Sequence, residues 1–151
     1  MASPAEGLRY YIGLGSNLGS RCAIVQAAMD RIEAKFGAGE RSSWVRTPAL
    51  VKPGAQPGPD FINAALSVCT TDAPELVMQW LHSLEAEFDR TREVRWGDRT
   101  LDLDILRVFD GDEELHTSSP AIPHPRVGER NFALGPLYEL SGRSEDGLLL
   151  R

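Results

Sequence analysis

The run Arg95-Trp96-Gly97-Asp98-Arg99-Thr100-Leu101-Asp102-Leu103-Asp104-Ile105 decides how this chain is read. From Thr100 onward polar and apolar residues alternate with the period of a β-strand. Leu101, Leu103 and Ile105 therefore share one face, and Asp102 and Asp104 share the other. Asp is disfavoured inside strands, and two carboxylates roughly 6–7 Å apart by the strand rise repel unless something positive lies between them. Two explanations satisfy the pattern. Either the strand has one wet face and both carboxylates are solvated, or they hold hard divalent cations. Mg²⁺ takes one or two protein carboxylates and completes its shell with water and phosphate oxygens, and two such ions clamp one phosphoryl group. The preceding segment favours the cations. Arg90, Arg92, Arg95 and Arg99 lie within ten residues that also hold Gly97, and guanidinium groups grip phosphate bidentately. A triphosphate caught between metal-bearing carboxylates and a mobile cationic loop accounts for both signs of charge.

The whole chain sets the frame. Its 151 residues, 42% of them hydrophobic, predict one domain over residues 1–151 with a sizeable core. A net charge of −6 argues against nonspecific binding to nucleic acid or an anionic membrane. The positive charge is local and arginine-dominated, since Lys35 and Lys52 are the only lysines. Cys22 and Cys69 are too few for a disulfide framework or a zinc site. No apolar run reaches the length of a membrane span, and Met1 to Arg9 lacks a signal-peptide apolar region. The expectation is a cytoplasmic monomer that works on small molecules.

Along the chain, Leu8 to Leu14 reads as a first strand ending in the turn Gly13-Leu14-Gly15-Ser16-Asn17-Leu18-Gly19-Ser20. The glycine spacing matches neither the dinucleotide fingerprint nor a P-loop, so a tight turn is expected, with Ser16 and Asn17 as possible ligand contacts. A helix over Arg21 to Phe36 places Ile24, Ala28, Ile32 and Phe36 on one stripe, stopped by Gly37 and Gly39. Arg41 to Val45 begins a second strand that ends at Arg46-Thr47-Pro48. Ala49 to Pro59 is a Pro/Gly segment readable as a lid or as a hairpin tip. Phe61 to Cys69 is a third strand carrying the polar Asn63. A capping-box-like opening at Asp72 to Glu75 starts a second helix with Leu76, Val77, Trp80, Leu81, Leu84 and Phe88 on a broad apolar face, and with His82 and Glu85 at its surface. The acidic strand continues to Phe109 and turns at Asp110-Gly111-Asp112. Beyond it, His124 is held between Pro123 and Pro125, and Arg130 adjoins Asn131-Phe132. Strand, helix, strand, strand, helix, strand predicts the α+β class: a ferredoxin-like (split βαβ) sandwich, an antiparallel sheet with helices packed on it.

Taken together, Gly15-Ser16-Asn17-Leu18, Arg46-Thr47-Pro48, Asn63-Ala64-Ala65, the run from Arg95 to Ile105, Pro123-His124 and Arg130-x-Phe132 resemble the 6-hydroxymethyl-7,8-dihydropterin pyrophosphokinases of folate biosynthesis. The resemblance implies transfer of the β,γ-diphosphate of ATP to the pterin hydroxymethyl oxygen, with release of AMP. It makes Asp102 and Asp104 the ligands of two Mg²⁺ ions, with Arg90 and Arg99 clamping the phosphates as catalytic groups. It sets Arg92, His124, Arg130, Glu85 and Ile105 on the ATP side. For the pterin it implies Asn63 on the amide-like ring edge, Phe61 and Phe132 as a sandwich, Thr47, Pro48 and Leu50 along the pocket, Trp96 as a cover, and Asp102 near the hydroxyl. Phe61 stands where the family usually has tyrosine, and Pro125 follows His124 where an aromatic hydroxyl residue is common. The Arg92 to Trp96 spacing is one residue shorter than usual, which leaves Arg95 without an assigned role.

Two other classes compete. A single-stranded RNA module on the same layout would display aromatics on its central strands, where this chain offers Asp102 and Asp104. A nucleotide-dependent oxidoreductase would rest on the turn from Gly13 to Gly19 alone.

Overall fold

The strand β1 (Leu8–Ser16) runs through the middle of the sheet, and the other long elements are placed against it. The computed structural model describes residues 7–16, 21–47, 60–89 and 101–124. After β1 come α1 (Arg21–Phe36), the short strands β2 (Glu40–Arg41) and β3 (Val45–Thr47), β4 (Phe61–Thr70), α2 (Pro74–Asp89), β5 (Asp102–Asp110), β6 (Glu113–Glu114), β7 (Thr117–Ser118) and β8 (Ala121–Ile122). The main sheet runs β2-β4-β1-β5-β6, with β3 also on β4, and β7 pairs with β8 separately. Both β4 and β5 flank β1 antiparallel. The architecture is α+β, an antiparallel sheet with two helices.

Alternation along the long strands sends one set of side chains to the helices. Tyr10, Ile12 and Leu14 of β1, Ile62, Ala64, Leu66 and Val68 of β4, and Leu101, Leu103 and Ile105 from the acidic strand form one core with Val25, Ala28, Met29 and Ile32 of α1 and Val77, Leu81 and Leu84 of α2. Burial of these apolar groups is the main favourable term holding the layers together. The α1 stripe is centred differently from the strict i+4 row expected, with Ile24 and Phe36 at its margin. Each i+4 step on a 3.6-residue helix overshoots by about 40°, so such a row drifts off the core and Val25 and Met29 take its place. In α2, Leu76 lies outside the expected apolar face at 55% exposure, while Trp80 packs the edge of its ring against Phe36, with centroids 5.3 Å apart. Pro74 opens α2, where its missing N–H costs nothing, and the Ala73 carbonyl accepts the first helical bonds, from the N–H groups of Leu76 and Val77 at 3.0 and 3.1 Å.

Three local departures from simple patterning place the site. First, β1 continues through Gly13, Leu14, Gly15 and Ser16 instead of turning there. Second, the single strand expected from Arg41 through Arg46-Thr47-Pro48 is, over the described residues, two strands separated by a bulge. Arg41 lies opposite Leu66 and Val45 opposite Asn63, four steps against three. Ser42 bridges the break: its N–H donates to the Ala65 carbonyl at 2.9 Å, and its Oγ accepts from the Ala65 N–H at 2.8 Å. Third, β5 carries a bulge at Leu106, because Ile12 faces Ile105 while Tyr11 faces Arg107. The bulge switches the strand's phase, so that Val108 follows Ile105 into the core.

Candidate active site

The face of the sheet turned away from the helices is read row by row, because residues directly opposite each other in antiparallel strands share a face. Val45, Asn63, Gly15 and Asp102 make one row across β3, β4, β1 and β5. Ala65, Gly13 and Asp104 make the next across β4, β1 and β5. The middle position of both is glycine, so neighbouring side chains close over the backbone of β1: the Asn63 amide lies over Gly15, which is buried, and the Leu106 side chain lies over Gly13. A Cβ on Gly15 would lie 2.9 Å from Asn63 Oδ1 and 3.7 Å from Phe61 Cδ1, and a Cβ on Gly13 would press on the Leu106 side chain at 3.2 Å. Farther along, the same face is filled: Tyr11 meets Phe109 edge-on at 5.8 Å, and Arg107 lies over the Phe109 ring while pairing with Glu114 at 2.6 and 2.8 Å.

Asp102 and Asp104 are both partly exposed, while their neighbours Leu101, Leu103 and Ile105 are buried. The alternation expected from the sequence is therefore present. The Leu106 bulge has a further use, since its carbonyl accepts the His124 N–H at 2.9 Å. Ile122, buried in the core, plants the segment just before it. The result sets His124 Nε2 3.8 Å from Asp104 Oδ1. Glu85 reaches the same strand from α2: its Oε2 accepts the Leu103 N–H at 2.7 Å, between the two aspartates. The sequence placed Glu85 at the helix surface; the structure puts its carboxylate on the edge of the acidic strand. The site face and the helix face thus meet at β5.

The donor set suits Mg²⁺. Among the described residues no three Asp, Glu, His or Cys side chains converge as a closed cation cage. Two carboxylates on one open face are what a hard cation needs when phosphate oxygens complete its shell.

Of the residues expected at the site, Phe61, Asn63, Asp102, Asp104 and His124 are brought to this end of the sheet. Thr47 joins through its backbone, paired with Phe61. The Ile105 side chain is buried in the core, so any ligand contact it makes is through its backbone. Arg90, Arg92, Arg95, Trp96, Arg99, Pro48, Leu50, Arg130 and Phe132 lie outside the described residues, as does the segment from Ala49 to Pro59. Sequence reasoning missed Gly13 and Gly15 as part of this face; their period-two spacing after Tyr11 was the signal, once the strand is extended to Ser16.

The same residues carry a family signature. A model of the family 7,8-dihydro-6-hydroxymethylpterin-pyrophosphokinase (HPPK) matches residues 11–142. The chain belongs to this family. Curated relatives agree: it is 37% identical over 132 residues to the 2-amino-4-hydroxy-6-hydroxymethyldihydropteridine pyrophosphokinase of Synechocystis, covering 86% of this chain and 65% of that protein. Enzymes of the same name from Bacillus subtilis and Methylorubrum extorquens are each 37% identical, covering 89% and 88% of this chain and 79% and 82% of theirs. The HPPK match begins within β1 at Tyr11 and takes in both helices, β4 and β5, and so includes both rows of the site face.

Proposed function

We propose that this HPPK-family chain transfers diphosphate from ATP to 6-hydroxymethyl-7,8-dihydropterin in folate biosynthesis, giving the pterin diphosphate and AMP. The observation that carries the reading is the row Asn63, Gly15, Asp102 with Asp104 beside it. It offers a two-sided amide for a heterocycle edge, a central strand that adds no side chain of its own at Gly15, and paired carboxylates for the phosphate end. The order β2-β4-β1-β5 supports the ferredoxin-like description of the sheet, with β4 and β5 joined through α2 and split by β1.

In the proposed reaction the pterin hydroxymethyl oxygen forms a bond to the β-phosphorus of ATP, the bond from that phosphorus to the α,β-bridging oxygen breaks so that this oxygen leaves with AMP, and the hydroxyl proton passes to solvent. Phosphoryl transfer of this kind asks the protein chiefly to position the reactants and neutralise spreading charge. Asn63 pairs with the amide-like ring edge and Phe61 stacks on the ring with Phe132. Thr47, Pro48 and Leu50 line the pocket and Trp96 covers it. Asp102 and Asp104 would hold two Mg²⁺ ions, and Asp102 would also lie near the substrate hydroxyl. When bound, the ions supply charge neutralisation and orientation at the phosphates. Arg90 and Arg99 clamp the phosphates, Arg92 and Arg130 lie on the nucleotide side, and His124, set beside Asp104, contacts the phosphates. Glu85 acts on the ATP side by holding the acidic strand at Leu103. The RNA-module reading is disfavoured by the rows themselves, where β1 and β5 carry glycine and carboxylates, while the aromatics of the same face, Tyr11 and Phe109, pack edge-on against each other.

The test is direct: purified protein, ATP, Mg²⁺ and hydroxymethyldihydropterin are mixed, and nucleotide and pterin products are separated. Equal amounts of AMP and pterin diphosphate, both abolished by EDTA, are expected. ADP in place of AMP would refute the reaction.

A further inference from the structure

Resting on the reading above, we infer that Gly15 sets the pterin specificity of the site as a positioning residue, by leaving the Asn63 amide room to lie across β1. Three observations converge on it. Gly15 is the strand residue directly opposite both Asn63 and Asp102, so it is the floor between the group that reads the ring and the group at the reacting end. Its missing Cβ would stand 2.9 Å from Asn63 Oδ1, closer than a carbon and an amide oxygen tolerate, and 3.7 Å from the Phe61 ring, an ordinary contact. The nearest obstacle is thus the end of one functional side chain. Gly15 has no positive φ, so its backbone conformation is open to alanine, and nothing about the turn or strand demands glycine there.

The physical consequence is selective. An alanine at position 15 is accommodated by the fold if the Asn63 amide swings aside, but the amide then no longer presents its donor and acceptor to a ring lying over β1. Adjacent strands lie about 4.8 Å apart, so the span from β4 to β5 over Gly15 is roughly 10 Å. That span suits a flat bicyclic heterocycle with a one-carbon arm: the ring edge lies at Asn63 and the arm at Asp102. Raising the floor and turning the amide strikes the ring end, while the carboxylates on β5 keep their positions. A site built to hydrogen-bond a polar ring edge discriminates strongly because a mismatched partner leaves buried polar groups unpaired; Asn63 is 6% exposed.

The experiment is a double-mutant cycle on Gly15→Ala and Asn63→Ala in the full chain. It reads the pterin dissociation constant by fluorescence titration, KM for pterin and for ATP, kcat, and melting temperature. Gly15→Ala is expected to weaken pterin binding roughly tenfold, the order of one lost hydrogen-bonding group. It should leave KM for ATP within about twofold and the melting temperature close to that of the parent. In the Asn63→Ala background the same substitution should change pterin binding by less than about twofold, because its effect passes through the amide. Unchanged pterin binding in Gly15→Ala, additive losses in the double variant, or a Gly15→Ala protein that has lost its cooperative melting transition would each overturn the inference, the last by making Gly15 a scaffold residue. The parent protein separates this inference from the proposed reaction. If it makes no AMP and pterin diphosphate, the reaction reading fails; if it does and Gly15→Ala behaves as the parent, only the role of Gly15 fails.

Discussion

The two faces of the central sheet are built from the same three strands and obey opposite rules. Toward the helices, Tyr10, Ile12, Leu14, Ile62, Ala64, Leu66, Leu103 and Ile105 fill space, and their value lies in volume and apolar area. On the other face, Gly13 and Gly15 withhold volume, so that the Asn63 amide and the Leu106 side chain close over β1 beside Asp102 and Asp104. One face is specified by the volume its side chains fill, the other by the volume its central strand withholds. Changes on the first should therefore cost stability and spare chemistry, and changes on the second should do the reverse.

The largest effect is expected on the face that carries the carboxylates. Asp102→Asn and Asp104→Asn should each lower turnover by about a thousandfold or more, about 4 kcal/mol of barrier, with melting temperatures within a few degrees of the parent. Paired rate and melting measurements check this, and a collapse in stability would erase the contrast between the faces. Next comes the filled face. Ile12→Ala, one residue from Gly13 but fully buried against the helices, should lose about 2–5 kcal/mol in denaturant titration, while the turnover of the folded fraction stays near that of the parent.

Glu85→Ala tests the seam between the faces. Its removal leaves the Leu103 N–H without its acceptor, at a cost of about 1–3 kcal/mol. Faster hydrogen exchange at the Leu103 amide and a parallel fall in turnover are expected, with Glu85→Gln, which keeps an acceptor oxygen, recovering much of both. The smallest effect is expected at Glu33 of α1, which pairs with Arg41 at the sheet's edge. The Arg41 guanidinium bonded at 2.6 Å holds the Glu33 carboxyl below its ordinary range, against an opposing contribution from burial. A carboxyl whose pKa is lowered by folding contributes stability above its unfolded value and loses it as pH falls through the folded one. Glu33→Gln should therefore be slightly less stable than the parent at neutral pH and equal to it in strong acid, by thermal melts at both, with turnover untouched.

Much of this was legible in the residues. Alternation over Leu101 to Ile105 assigned the faces of β5 correctly, and the bounds of α1 follow from its period and from Gly37, whose φ of 106° and N–H bond to the Glu33 carbonyl at 2.8 Å end the helix. The glycines of β1 were misread because a Gly-rich run signals a turn when only local preference is weighed; pairing with β4 and β5 on both sides holds them extended. The Leu106 bulge was also hidden, since Ile105-Leu106 is an apolar pair that fits a strand of either phase.

Local chemistry by itself determined the element types, the acidic strand and the polar candidates, because periodicity and charge act over a few neighbouring residues. Only the tertiary structure decided that Asn63, Gly15 and Asp102 share one row, that a bulge carbonyl holds His124 beside Asp104, and that Glu85 caps the strand between the carboxylates. Those are matters of register between segments far apart in the chain, and register is set by how whole strands bury their apolar faces together.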